Sequence, residues 1–388
     1  YALVCETVKY INIIETLFRM CEMSSESLEV NKGMLFVYCY ELLFGKGKIQ
    51  GGGAVKRRLL EREQALRSSL AQHLRDCGAS AHAELLDPHF TEHAQMPVYI
   101  RINTLKITSS DGFRILKGLY PDAVRDEHIP NLVVLPPGTK RAWDHECVRS
   151  GKFIVQDKAS CMPSQILGDV WSGGDIIDAC AAPGNKTSHL AAQVRESEQN
   201  SNASIYACDK SVPRWELLKQ RMEVAGADNV SPVNVDFLSI NTSDQLFSKV
   251  KSVLVDPSCS GSGVVRSLER VYERVKNDAT YSSNRSVNEA VDRVDQLRSF
   301  QIKAIVHAML FPNVQHVVYS TCSIDETENE SVVAEILRQK REWRLCPPAR
   351  FSGWKRRGMR TAGLTADEAA CLVRCAPADG VNGFFVAL

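Results

Sequence analysis

The chain has 388 residues, enough for two or three domains, and its 44% hydrophobic content can fill sizeable cores. A formal charge of +1 and a pI near 7.6 exclude a uniformly basic nucleic-acid binder and leave only local basic patches to find. Thirteen cysteines, an odd number with no C-x-x-C pair, argue against a disulfide framework or a thiolate zinc cluster and for a reducing compartment.

No apolar run reaches the roughly 18 residues of a membrane span, and no signal peptide is visible. The chain opens at Tyr1 rather than Met, as a fragment would, and a targeting segment upstream of it would escape notice. Ile11, Ile14, Leu17 and Phe18 recur at helical spacing and predict two or three helices over residues 1–45. Gly51-Gly52-Gly53 closes a hinge. A basic helix is expected next: between Lys46 and Arg75 eight Lys and Arg residues face only Glu61 and Glu63. A solvated helix face accounts for this as readily as a phosphate-contacting face does.

From residue 82 to 160 the character changes. Val98–Ile102 alternates as a strand, Ser109–Tyr120 reads as a helix, and Leu132–Leu135 is a second strand. Gly151–Gln156 is a strand leading to Asp157, the N-cap of a helix that reaches Leu167. From Gly174 onward strands fit at 174–178, 204–208, 230–235, 251–255 and 314–319. Helices fit at 186–196, 212–225, 296–310 and about 326–340. Two further strands fit near 370–376 and 383–388. Strands alternating with helices imply a mostly parallel α/β sheet with right-handed crossovers. The polar stretch Val265–Asp295 interrupts this pattern and reads as a mobile surface insertion, with a substrate lid as the sharper alternative.

Ligands of such sheets bind beyond the carboxyl ends of the strands, and the candidate residues fall there. After the first strand comes Asp178–Thr187, DACAAPGNKT: small residues and Gly184 turn into a helix, which lets backbone N–H groups approach a ligand. Asp209 ends the second strand, where a carboxylate accepts from a ribose diol, and Arg214 lies within reach of a ligand carboxylate. Asp236 ends the third strand and suits an exocyclic amine. The stretch has neither G-x-x-x-x-G-K-[ST] nor G-x-G-x-x-G, so a nucleoside without polyphosphate, such as S-adenosylmethionine, is favoured. Asp256-Pro257-Ser258-Cys259 follows the fourth strand and Ser320-Thr321-Cys322-Ser323 the fifth, giving two thiols on neighbouring strand ends beside a carboxylate. A lone cysteine is usually a small hydrophobe; a thiol near a positive charge, here Lys186, is a usable nucleophile.

These motifs resemble the Sun-domain (nucleolar-protein/Fmu-type) RNA cytosine-5 methyltransferases. The resemblance rests on DACAAPGNKT, Asp209, VDPSCSGSG at 255–263 and YSTCSI at 319–324, with RINTLK at 101–106, FIVQDKAS at 153–160 and GFFVAL at 383–388. It covers about three quarters of the chain, and its wording is most similar to the fifth vertebrate subfamily, which acts on large-subunit ribosomal RNA. The resemblance implies a Rossmann-like class I S-adenosylmethionine-dependent methyltransferase sheet over 156–388, a small α+β (RRM-like) RNA-binding unit over 91–155, and an N-terminal helical region over 1–90. It further implies Cys322 as nucleophile toward cytosine C6, Cys259 as the releasing thiol, and Asp256 with Lys186 as catalytic partners. Cys180, Ala181, Ala182, Pro183, Gly184, Asn185, Lys186, Asp209, Arg214, Asp236 and Asp256 would contact the cofactor. The implied partner is RNA, large-subunit ribosomal RNA or a pre-ribosomal particle, acted on by a monomer without metal or membrane in the nucleus and nucleolus. The unit at 98–150 lacks an aromatic RNP pair, which favours backbone and shape contacts; Trp354–Arg360 is a second basic stretch, which an RNA contact and an exposed loop explain equally. Two rivals share the fold: an amino-group methyltransferase, which would not need Cys322, and an RNA-binding ribosome-assembly factor without needed catalysis.

Overall fold

The computed structural model describes residues 2–23, 31–86, 96–139, 145–197, 202–264, 284–360 and 363–388. They divide into two compact units, one within residues 1–94 with 284–287 and the other within 95–264 and 288–388.

The first unit is helical: α1 (Ala2–Lys9), α2 (Ile11–Met20), α3 (Lys32–Leu43), α4 (Ala54–Glu61) and α5 (Glu63–Asp76). Ile14, Leu17, Leu35, Leu42, Leu59 and Leu66 are fully buried, and Tyr10 stacks on Phe44 at 4.5 Å. Such an apolar stripe is what holds short helices together, since none of this length is stable alone. The basic stretch is two helices rather than one. Arg62, at φ −107° and ψ 5°, breaks it, and Leu59 and Leu66, one on each helix, are both fully buried. Lys56 is also turned inward, donating to the carbonyls of Ile49 and Gly51 at 2.9 and 3.0 Å.

The second unit holds two sheets. The smaller is built from β1 (Val98–Ile102), α6 (Ser109–Leu119), β2 (Val124–Arg125), β3 (Leu132–Leu135), α7 (Glu146–Arg149) and β4 (Phe153–Val155). Its antiparallel order β2-β3-β1-β4 is a β-α-β-β-α-β arrangement. Then α8 (Lys158–Val170), capped by Asp157, leads to β5 (Asp175–Asp178), α9 (Asn185–Glu196), β6 (Ile205–Cys208), α10 (Val212–Ala225), β7 (Val230–Val233) and β8 (Val250–Val255). The chain ends with α11 (Asn284–Ala308), β9 (His316–Thr321), α12 (Glu330–Gln339), α13 (Ala366–Cys371), β10 (Val373–Cys375) and β11 (Phe384–Ala387).

The seven-stranded sheet runs β10-β11-β9-β8-β5-β6-β7. Its last five strands are parallel, and β11 joins β9 antiparallel with Val386 opposite Ser320. The strand β5 is buried along its whole length, as a central parallel strand covered on both faces must be. Of the polar stretch Val265–Asp295, residues 265–283 lie outside the described residues. From Asn284 the chain is already helical, twelve residues before the expected start of that helix. The third parallel strand stops at Val233, so Asp236 lies beyond its end rather than on it.

Side chains of β1 couple the two sheets. Arg101 is fully buried and donates to Gln156 Oε1 (2.9 Å), Ser188 Oγ (2.8 Å) and the carbonyl of Asn185 (3.2 Å). Asn103 Nδ2 donates to the carbonyls of Gly151 and Ala225, both at 2.8 Å. The small sheet is thus fixed to the first turn of α9.

Candidate active site

The carboxyl ends of β5, β6, β8 and β9 converge on one site. After β5 the chain passes through Ala179–Pro183, with a cis Ala182–Pro183 bond, to Gly184 at φ +101°, a conformation that favours glycine. A Cβ there would also meet Met222 Cε at 2.6 Å. The amides of Ala179 and Ala181 are tied to the carbonyls of Leu254 and Cys208, both at 2.9 Å, which spreads the loop across the two neighbouring strands. Cys180 is a neutral thiol, its pKa pushed far up by burial. This loop and the first turn of the 12-residue α9 make a cradle of small residues beside a helix N-terminus.

Asp209 sits at the end of β6, 6% exposed. One carboxylate oxygen accepts from the Ser211 amide at 2.9 Å, and the other lies 3.3 Å from Arg214 Nη2. A carboxylate has about four acceptor sites, so capacity for a diol remains. Arg214 is not free to act as a ligand clamp alone, because its guanidinium also donates to the carbonyl of Ala182 at 2.7 Å and so braces the cradle. Asp236 uses one oxygen to cap the turn Phe237–Ser239 through the Leu238 amide (3.1 Å), with Lys210 3.8 Å from the other. The donor set fits an adenosine-bearing methyl donor: a diol acceptor, a second carboxylate one strand further out, and backbone amides at a helix start.

The reacting side lies between β8 and β9. Cys259 and Cys322 hold their Sγ atoms 3.3 Å apart, far beyond the ~2.05 Å of a disulfide, so the two are not bonded to each other. The Cys322 contact, then burial, pushes Cys259 well above the ordinary thiol range, and either sulfur can be the donor in the contact. Lys186 Nζ stands 2.7 Å from Asp256 Oδ2, while Asp256 Oδ1 accepts from Ser320 Oγ at 2.6 Å. Burial would lower the lysine, but Asp256, and after it Cys322, outweigh that and hold it above its ordinary value. A permanent positive charge therefore faces the thiol pair and favours a thiolate there. Behind it, burial pushes Asp178 up to about 7, partly countered by the Thr187 hydroxyl at 2.7 Å on Oδ2; Oδ1 has no partner among the described residues.

Sequence reading placed Cys180–Lys186, Asp209, Arg214, Asp236, Asp256, Cys259 and Cys322 at one site; Asp236 lies beyond the end of its strand and is half-exposed. Sequence reading missed the residues that hold the two cysteines together. Gly263 donates its N–H to the carbonyl of Cys322 (2.9 Å), and Gly383 donates to the carbonyl of Gly263 (2.8 Å). Glu328, fully buried, accepts from the Ser260 amide (2.8 Å), Ser260 Oγ (2.5 Å) and Gln301 Nε2 (3.0 Å). Thr321 and Asn329 pair at 2.5 Å behind Cys322, and Glu330 is held by Arg374 through two 2.6 Å bonds. The polar string Thr327–Glu330 after the Cys322 motif was the available signal. Trp354–Arg360 offers less to RNA than its composition suggests: Arg356 pairs with Asp379 at 2.7 Å, Arg357 is spent on the carbonyls of Phe351 and Ser352, and Lys355 and Arg360 are exposed.

Residues 169–388 match the family described as 16S rRNA methyltransferase RsmB/F, and residues 1–86 match the N-terminal domain of NOL1/NOP2/Sun domain family member 5. Over its whole length the chain is 36% identical to 25S rRNA (cytosine-C(5))-methyltransferase NSUN5 of Arabidopsis thaliana and spans 65% of that protein. It is 33% identical to 25S rRNA (cytosine-C(5))-methyltransferase rcm1 of Schizosaccharomyces pombe and 35% identical to 28S rRNA (cytosine-C(5))-methyltransferase of Mus musculus. It covers 83% of each, and all of this chain is matched in both. Among solved structures, a methyltransferase homolog protein from Pyrococcus horikoshii aligns with a TM-score of 0.60 at 21% identity, covering 94% of this chain and 96% of that one. NSun6 from the same organism, solved with SFG, aligns with a TM-score of 0.57 at 18% identity, covering 77% and 92%.

Proposed function

We propose, from the premise that this chain belongs to the RsmB/F family of rRNA methyltransferases, that it methylates C5 of a cytosine in large-subunit ribosomal RNA. It is an RNA (cytosine-5-)-methyltransferase that uses S-adenosylmethionine. The observation that carries the reading is the pair of thiols 3.3 Å apart beside the Lys186–Asp256 ion pair. An assembly factor that needed no chemistry would have no use for that pair. The names of the plant, yeast and mouse relatives support the large ribosomal subunit as the source of substrate. In this reading the cradle of residues 180–186, Asp209 and Asp236 bind the cofactor, residues 91–155 form the RNA-binding unit, and the protein works as a monomer in the nucleus and nucleolus.

Cytosine C5 is a poor nucleophile until the ring is opened to addition. Cys322, as thiolate, forms a bond to C6, and the C5=C6 electron pair moves to C5. Lys186 stabilises the thiolate beforehand, and Asp256, steadied by Ser320, accepts from the amino group of the base. The cofactor, when bound, supplies a methyl group at a sulfonium for C5 to take. The C5 proton is then lost to solvent, C5=C6 re-forms, and Cys322 departs with the sulfur–carbon pair while the Cys259 S–H donates to it. The target base must leave its stack, at a cost of a few kcal/mol unless it is already single-stranded.

The test is a denaturing gel with large-subunit ribosomal RNA and S-adenosylmethionine. Cys322→Ala should lose methyl transfer by at least about 10³-fold and form no covalent band, whereas Cys259→Ala should accumulate protein–RNA adduct. If neither wild type nor either variant traps or methylates RNA, including on precursor particles, the enzyme reading fails and the assembly factor replaces it.

A further inference from the structure

The chemistry above asks two things of two thiols, and the structure holds them by different means. Cys322 follows directly from β9, a buried strand paired on both sides, and its carbonyl accepts from Gly263. Cys259 lies in the loop between β8 and α11, with no ladder of its own. Its position is set by the residues flanking it. On one side the carbonyl of Ser258 accepts from Gln301 Nε2 at 3.2 Å. On the other, Ser260 gives both its amide and its hydroxyl to Glu328, at 2.8 and 2.5 Å. Gln301 and Glu328 are themselves joined at 3.0 Å and are both completely buried. The hydroxyl of Ser260 also touches Ser323, the residue after Cys322, at 3.2 Å, so the clamp sets the distance between the two motifs.

Burying a carboxylate costs several kcal/mol unless its lone pairs are filled, so a merely structural brace would be cheaper as an amide. An amide fits less well here. Glu328 Oε1 accepts from the Ser260 amide and from Gln301 Nε2, and Oε2 accepts from the Ser260 hydroxyl. An amide nitrogen in the place of Oε2 would force that hydroxyl to turn from donor to acceptor and would lose the short charge-assisted bond.

We infer that Glu328, with Gln301, is a positioning residue for release: it holds Cys259 against Cys322 and is not required for Cys322 to attack. The inference rests on the cysteine roles given above. Weakening the clamp should leave addition and methyl transfer to the first base intact, slow the departure of Cys322, and accumulate adduct. Loss of general stability would instead reduce adduct and turnover together.

The experiment follows wild type, Cys259→Ala, Glu328→Gln and Ser260→Ala on the same RNA with S-adenosylmethionine, reading multiple-turnover methyl transfer and the fraction of RNA trapped covalently. Glu328→Gln should lower turnover about tenfold or more and raise trapped RNA at least about fivefold over wild type, and Ser260→Ala should move both the same way by less. If Glu328→Gln does not fold, Ser260→Ala alone decides: raised trapping supports the clamp, and unchanged trapping overturns it. Parallel loss of trapping and turnover in Glu328→Gln, or no change in either, overturns it while leaving the cysteine roles standing as long as Cys259→Ala traps RNA. Failure of Cys259→Ala itself to trap overturns both.

Discussion

The two sides of the site are built by opposite means. The cofactor side is backbone and small residues: a cradle of alanines and Gly184, carboxylates at or just beyond strand ends, and local caps such as Ser211 on Asp209 and Leu238 on Asp236. Its carboxylates are capped by residues two positions on, while its loop is tied by backbone carbonyls to Leu254, Cys208 and Arg214. The cysteine side is held by long-range side-chain bonds among buried groups, with Ser260 reaching Glu328 and Gly263 locked between Cys322 and Gly383. A ligand that must enter and leave is met by preformed local geometry with exposed edges. A covalent bond that must form and break at one sulfur demands placement to fractions of an ångström, and that is bought with buried polar groups.

The largest break in this contrast comes at Gly263. A Cβ on it would stand 2.1 Å from the carbonyl oxygen of Gly383 and 2.9 Å from that of Cys322, so backbone on two elements has to move. Gly263→Ala should cost about 3 kcal/mol of stability and lower methyl transfer more than about 100-fold, with cofactor affinity nearly unchanged. Thermal melts and cofactor titration by calorimetry check this; equal losses on both sides would show that the site is one mechanical unit.

Asp178 lies where the two sides meet, and it gives the comparison a pH axis. Burial pushes its carboxyl up to about 7 in the fold, from 3.8. Between those values the folded state binds more protons than the unfolded one, so this group makes stability fall as pH rises, until the loss is complete above about pH 7. Asp178→Asn removes that dependence while keeping an oxygen for Thr187. The variant should exceed wild type by roughly 2 kcal/mol at pH 8, with the gap closing toward pH 4. Denaturant unfolding at several pH values measures it. Parallel curves for the two proteins would mean that the buried carboxylate is ionised and paired.

Much of this was legible from the chain because each parallel strand is a short apolar run that ends in a polar residue, and that run dictates both the strand and the place of its last side chain. Asp209, Asp256 and Cys322 could be placed from local pattern alone. Glu328 could not. In Thr327-Glu328-Asn329-Glu330 an acidic residue before a helix reads as a solvated first turn, yet all three from Glu328 to Glu330 are fully buried. What buries Glu328 is a loop 68 residues earlier. Arg101 escaped notice for a related reason: strand alternation assigns it an outward face, whereas Ser188, 87 residues on, covers it. The break at Arg62 was hidden because no Pro or Gly marks it, and Leu59 and Leu66, seven apart, fit one continuous helical face equally well.

The smallest effects should separate the two carboxylates of the cofactor side. Asp209 is 6% exposed and is held by Ser211 and Arg214, so its oxygens are aimed and largely desolvated before a ligand arrives. Asp236 keeps 43% of its side chain exposed and already spends one oxygen on capping. A preorganised, buried acceptor contributes more to binding than a solvated one, because little water must be displaced and little entropy lost. Asp209→Asn should raise the KM for S-adenosylmethionine about tenfold, while Asp236→Ala should raise it less than about threefold, and both should leave kcat at saturating cofactor near wild type. Trapping in a Cys259→Ala background refines the assignment: with cofactor saturating, neither change should alter the amount of adduct, since Cys322, Lys186 and Asp256 are untouched. A fall in adduct with Asp209→Asn would mean that the cradle reaches across β5 to the thiols, through the Arg214 bond to Ala182, and that the two sides are less independent than their construction implies.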